Sequence, residues 1–153
     1  MRRAAVAAGL ALALALGLAV AALGGCGDAD DEAAAPPTAP APAPGSIELT
    51  IAYDDGAGTT TTGGLTCRDG QPRATGALAG RASAATLCVK ARAIAPLLTT
   101  QPDKGRMCTQ IYGGPETAHV TGTIDGVTVD RRFTRTNGCE IADFTRAAGL
   151  LQP

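Results

Sequence analysis

The sequence predicts an α+β domain in which an antiparallel sheet carries helices packed on one face. Three observations lead there. Ile47, Leu49 and Ile51 alternate with Ser46, Glu48, Thr50 and Ala52, the period of a half-buried strand. Two further alternating runs flank Asp125-Gly126, a strong two-residue hairpin signal. Stretches of helical period stand among these strands without regular alternation, which favours α+β over a parallel βαβ arrangement.

Taken in order, "SIELTIAY" is the first strand and "DDGAG" a turn. "TTTTGGLTC" is Thr-rich and reads as a second strand ending near Cys67. "RDGQPRATGALAGRAS" reads as loop. In "SAATLCVKARAIAPLL" the residues Leu87, Ala91, Ile94, Ala95 and Leu98 share one helical face. Ser83 is placed to cap this helix, Cys88 lies on or near its apolar face, and Pro96 should terminate or kink it. In "TAHVTGTI" the residues Ala118, Val120, Gly122 and Ile124 point one way, and Val127, Val129 and Phe133 continue the apolar pattern across the turn. "TNGCE" reads as a turn and "IADFTRAAGLL" as a short final helix.

The region before the domain has a different character. Met1-Arg2-Arg3 is basic, residues 4–23 are an apolar run, and Gly24-Gly25-Cys26 closes it. This is the pattern of a secretory signal peptide, residues 1–25. Cys26 stands where a bacterial lipobox places the cysteine that receives a diacylglycerol, so we expect export and anchoring to the outer face of the cell membrane. The alternative is an uncleaved transmembrane helix, since about 20 apolar residues span a bilayer. Residues 26–45 join the lipidated cysteine to an acidic cluster and an Ala/Pro-rich linker. Asp28, Asp30, Asp31 and Glu32 read as part of a solvated tether rather than a cation site. Extended polyproline geometry lets such a spacer reach roughly 50–60 Å.

Five cysteines are an odd number, and assigning Cys26 to lipid leaves Cys67, Cys88, Cys108 and Cys139. In an exported chain four cysteines mean two disulfides, with three pairings open. The expectation is the sequential pairing, Cys67–Cys88 and Cys108–Cys139, each bridge stabilising by roughly 3–4 kcal/mol. The domain at 46–153 needs such help, because the whole chain has two Tyr, two Phe and no Trp to fill a core.

Groups for catalysis are few. His119, the sole histidine, falls on the solvent side of its strand by alternation. The domain's serines are Ser46 at its edge and Ser83 at a helix cap, and no Gly-x-Ser-x-Gly elbow occurs. One histidine, cysteines assigned to disulfides and no C-x-x-C pair leave no metal-ligand pattern. Lys and Arg are scattered without interleaved aromatics, so no nucleic-acid partner is expected. We expect neither enzyme activity nor a cofactor.

The ordered set "LTC", a cysteine on the first helix, "MCTQIYGGP", "VTGTIDGVTVDRRF" and "NGCE" before a terminal apolar helix covers most of residues 46–153. With four cysteines in step, the domain resembles the subtilisin inhibitor-like family of bacterial serine protease inhibitors. The resemblance implies a sheet of five antiparallel strands with two helices, often in a homodimer. It also implies a reactive loop just after the third domain cysteine. Met107 would then be P4, Cys108 P3, Thr109 P2, Gln110 P1 and Ile111 P1′, with Tyr112 following, and the scissile bond would be Gln110–Ile111. The partner would be a subtilisin-like or trypsin-like serine protease. A bridge at Cys108 would hold the loop rigid before binding, so that little ordering entropy is lost in the complex. The family usually has proline where Thr109 stands and a pocket-filling Met or Lys where Gln110 stands. The segment after Cys67 lacks its Gly-Thr-His-Pro pattern, and an aromatic, usually Trp, is common in the family where Ile124 and Phe144 stand. These departures define the alternative function, a non-inhibitory cell-surface binding or structural module on the same scaffold.

Overall fold

The computed structural model describes residues 45–68 and 70–152. The expected signal peptide, Cys26 and the expected linker as far as Pro44 lie outside the described residues. Five strands form one antiparallel sheet: β1 (Ile47–Asp54), β2 (Thr60–Cys67), β3 (Arg73–Gly76), β4 (Thr117–Ile124) and β5 (Val127–Phe133). Their order across the sheet is β3-β2-β1-β4-β5, so the first strand lies at the centre. Among the described residues three helical segments accompany them: α1 (Ala84–Ala93), α2 (Ala95–Thr99) and α3 (Gly138–Leu151).

The period-2 pattern decides which side is covered. Ile47, Leu49, Ile51 and Tyr53 of β1 are buried, and so are Leu65 of β2 and Ala118, Val120 and Ile124 of β4. They share one core with Leu87 and Ala91 of α1, Leu98 of α2, and Phe144, Ala147, Leu150 and Leu151 of α3. The register aligns these rows directly, with Leu49 opposite Leu65 on one side and Ile51 opposite Val120 on the other. Both disulfides form with the sequential pairing, Cys67–Cys88 and Cys108–Cys139.

Local chemistry sets the boundaries. Ser83 Oγ accepts from the Thr86 N–H at 3.1 Å and caps α1 as its position foretells. The helical stretch breaks at Ile94, with Pro96 in the first turn of α2, so one predicted helix becomes two segments. Asp125 and Gly126 take φ of 52° and 81°, the left-handed pair that a two-residue hairpin turn requires. The "DDGAG" turn is held by the Asp55 carboxylate, which accepts from the N–H groups of Ala57 and Thr59; these bonds lower its pKa.

Three expectations are corrected, and one residue that the expected pattern passed over is found buried. The segment read as loop after Cys67 contains β3, paired to β2 from Gly63–Gly76 to Thr66–Arg73. Val127 is 52% exposed, because it is the first residue after the turn and the sheet ends there. Arg131 follows Val129 on the inner side and is buried, where the apolar pattern had no place for a charge. The last helix starts at Gly138 rather than near Ile141, since Asn137 accepts from the N–H groups of Cys139 and Glu140 and acts as its cap.

Candidate functional site

Between α2 and β4, residues 101–116 carry neither helix nor strand. Connections this long in a compact domain are uncommon and usually functional. Five large hydrophobic side chains are exposed among the described residues, and three of them, Met107, Ile111 and Tyr112, lie within six positions here. Met107 is 96% exposed and Ile111 55%, with Thr109 and Gln110 also exposed between them. A thin-cored domain that spends its large apolar side chains on solvent is presenting them.

The backbone beneath this display is fixed, chiefly by the start of α3. The first N–H groups of a helix have no partner within it. Here the Gly138 N–H donates to the Thr109 carbonyl at 2.9 Å. The next residue, Cys139, bonds covalently to Cys108. Gly138 also leaves the space this approach needs, since a Cβ there would stand 2.1 Å from Thr109 Oγ1. One helix turn therefore holds the chain at both residues that precede Gln110.

On the other side of Gln110–Ile111 the Gly113 N–H donates to the Arg135 carbonyl at 2.8 Å. The Gly-Gly-Pro sequence then divides its labour. Gly113 gives room to Ile141, whose Cγ1 a Cβ would approach to 2.7 Å. Gly114 takes a φ of +137°, in the range that favours glycine. Pro115 packs on the β1–β2 turn, so that a Cβ at Gly56 would meet its Cγ at 2.4 Å. Arg135 Nη1 donates to Glu116 Oε1 at 2.9 Å, and its guanidinium stacks over the Phe144 ring.

A third fixture stands further upstream. Asp143 is buried at the inner side of α3, and its Oδ2 accepts from Arg131 at 3.1 Å and from Arg106 at 3.0 Å. Burial pulls the Arg131 guanidinium below its ordinary pKa, while the Asp143 carboxylate works the other way. Glu140, in the first turn of α3, accepts from Thr134 Oγ1 at 2.5 Å and from the Thr136 hydroxyl, and these two bonds lower its pKa.

The other residues singled out in the sequence lie elsewhere. His119 faces Arg132 across the β4–β5 pair, and its Nε2 lies 2.6 Å from Asp130 Oδ1. Ser83 is engaged as the cap of α1, and Ser46, at the start of the domain beside β1, is buried. Among the described residues no group of three or more His, Cys, Asp or Glu side chains could hold a metal ion, and no helix is long and apolar enough to cross a membrane. Sequence reasoning picked out Met107 to Tyr112 and the cysteines but missed Gly138, Arg135, Arg106 and Asp143. Of these only Gly138 left a signal, in the "NGC" that joins a capping residue, a glycine and a bridged cysteine. No protein-family model matches the chain, and no curated protein matches it.

Proposed function

We propose that the domain is a serine protease inhibitor that offers residues 107–111 to a protease cleft as a rigid substrate, with Gln110 at P1 and Ile111 at P1′. In this reading the chain is exported and displayed from the outer face of the bacterial membrane through a diacylglyceryl Cys26. The observation that carries the reading is the contrast in the loop itself. Its side chains are among the most exposed in the domain, while its backbone is tied on both sides of Gln110–Ile111.

That combination is what inhibition needs. A protease binds an extended segment by its main chain and reads alternate side chains in pockets. A segment already ordered pays little on binding, so more of the interaction appears as affinity. After hydrolysis of Gln110–Ile111, the new carboxylate end would stay tied through Thr109 and Cys108, and the new amine end through Gly113. Held at short range, the two ends favour religation over release.

The test is a titration of the purified chain against subtilisin-like, elastase-like and trypsin-like proteases. The expected result is stoichiometric inhibition of at least one, with the Gln110→Lys variant gaining strength against the trypsin-like enzyme. No inhibition of any, with Gln110→Lys inert towards trypsin, would leave the non-inhibitory surface module as the function.

A further inference from the structure

We infer that Arg106 is a positioning residue of the loop, pinning its upstream end to the buried Asp143 independently of the disulfide; its consequence for a protease rests on the inhibitor reading above. Arg106 lies four residues before Gln110. Its Nη2 stands 3.0 Å from Asp143 Oδ2 and its Nη1 3.5 Å from Oδ1, the two-pronged approach that gives an Arg–carboxylate pair direction as well as energy.

Asp143 does not depend on Arg106 for its burial. Arg131, itself buried, already donates to Oδ2, and Arg146 Nη1 stands 3.9 Å from Oδ1 on the same helix. Arg131 and Asp143 thus make a fixed ionic post between β5 and α3, and Arg106 is the member that brings the loop to it. The neighbouring Met107 has no comparable hold, since its side chain is almost wholly in solvent. With Arg106 tied at one end and Cys108 bridged two residues later, Met107 is stretched between two fixed points, and its side chain is held outward where a P4 residue must project. Without the Arg106 guanidinium, the upstream side of Met107 keeps only the local bond from the residue-106 N–H to the Asp103 carbonyl, 3.4 Å long.

The post also explains why this fixture can be removed separately. Arg106→Gln deletes the loop's hold and leaves the Arg131–Asp143 pair in place, so the domain keeps its fold. The experiment compares the full-length chain with Arg106→Gln and Arg106→Lys. It reads millisecond hydrogen exchange of amides 106–111, thermal midpoint, and inhibition constant against whichever protease the wild-type chain inhibits best. We expect Arg106→Gln to exchange faster in 106–108, to keep its midpoint within about 2 °C, and to inhibit about tenfold more weakly, the scale of one partly exposed charge-assisted pair. Arg106→Lys should recover part of both losses, because the ammonium keeps the charge but not the fork. Unchanged exchange and unchanged inhibition in Arg106→Gln would overturn the inference. So would faster exchange spread through α3 with a collapsed midpoint, which would make Arg106 an ordinary stabilising residue. If the wild-type chain inhibits no protease, the inhibitor reading fails by itself, and the exchange of 106–108 still decides whether Arg106 holds the loop.

Discussion

The two disulfides occupy opposite ends of a range. Cys67–Cys88 joins the end of β2 to α1, and both cysteines, partly buried, pack against the hydrophobic core. Cys108–Cys139 joins an irregular, exposed segment to the first turn of α3, away from that core. The bridges span 21 and 31 residues, so the chain-entropy model assigns them similar stabilisation, roughly 3–4 kcal/mol each. Equal contributions to folding can therefore hide unequal roles. The first bridge serves the body of the domain, and the second serves what the body presents.

Removing each bridge in turn gives the largest separation of the two roles. In the double variant Cys108→Ser/Cys139→Ser, inhibition should fall about a hundredfold or more and the chain should be cut as a substrate, because the loop's ordering entropy returns to the cost of binding. In Cys67→Ser/Cys88→Ser the thermal midpoint should fall comparably, while inhibition by the folded fraction stays within about threefold. Inhibition titrations beside thermal melts read both, and equal loss of inhibition in the two variants would erase the distinction.

Gln110→Lys probes the presented side chain without touching either bridge. Against a protease with an acidic S1 pocket the gain should be about a hundredfold, since a buried charge pair replaces a neutral amide, and the midpoint should not move. Gly138→Ala sharpens the comparison within α3. Alanine's advantage over glycine, about 1 kcal/mol in a helix interior, is smaller at the first residue of α3 and is offset by the contact with Thr109, so the midpoint should move little. Yet the new Cβ would press on Thr109 Oγ1, 2.1 Å away, and inhibition should weaken about tenfold. A variant of similar stability that is a poorer inhibitor separates the helix as scaffold from the helix as loop holder.

The smallest effect is a pH dependence at the start of α3. Glu140 has its pKa lowered from 4.5 by the Thr134 hydroxyl first and Thr136 next. The folded state thus takes up this proton less readily than the unfolded chain does. Its stabilisation is present above about 4.5 and is lost as pH falls through the lower folded value. Glu140→Gln should cost about 1 kcal/mol at neutral pH, and the gap from wild type should close in acid. Melts recorded from neutral to acidic pH check this, and a gap that widened in acid would reverse the sign.

The body of the domain was far more legible in the sequence than the loop's supports. Strict alternation in Ile47–Ile51 and around Asp125-Gly126 placed β1, β4 and β5, because a period of two has one reading when a single face is covered. β3 escaped because Arg73-Ala74-Thr75-Gly76 is short and nearly all exposed, so its sequence carries no apolar period. In the loop, exposure and order of Met107 to Tyr112 could be anticipated from a cysteine and a Gly-Gly-Pro break. The contacts that fix it could not. Thr109 to Gly138, Gly113 to Arg135 and Arg106 to Asp143 are meetings of residues 22 to 37 positions apart, created by how α3 docks on the sheet. Arg131 illustrates the same limit, since its place on the inner face looks like a fault in the pattern until Asp143 stands opposite it.

In the proposed role, Gln110–Ile111 is a bond offered to a protease and retained. This role is tested by mass spectrometry, without reduction, of the chain during long incubation with catalytic amounts of whichever protease the titrations find it to inhibit. The expected result is slow scission at Gln110–Ile111 alone, reaching a stable mixture of intact and cut forms that both inhibit. Rapid, complete cleavage, or a first cut elsewhere in residues 101–116, would contradict it.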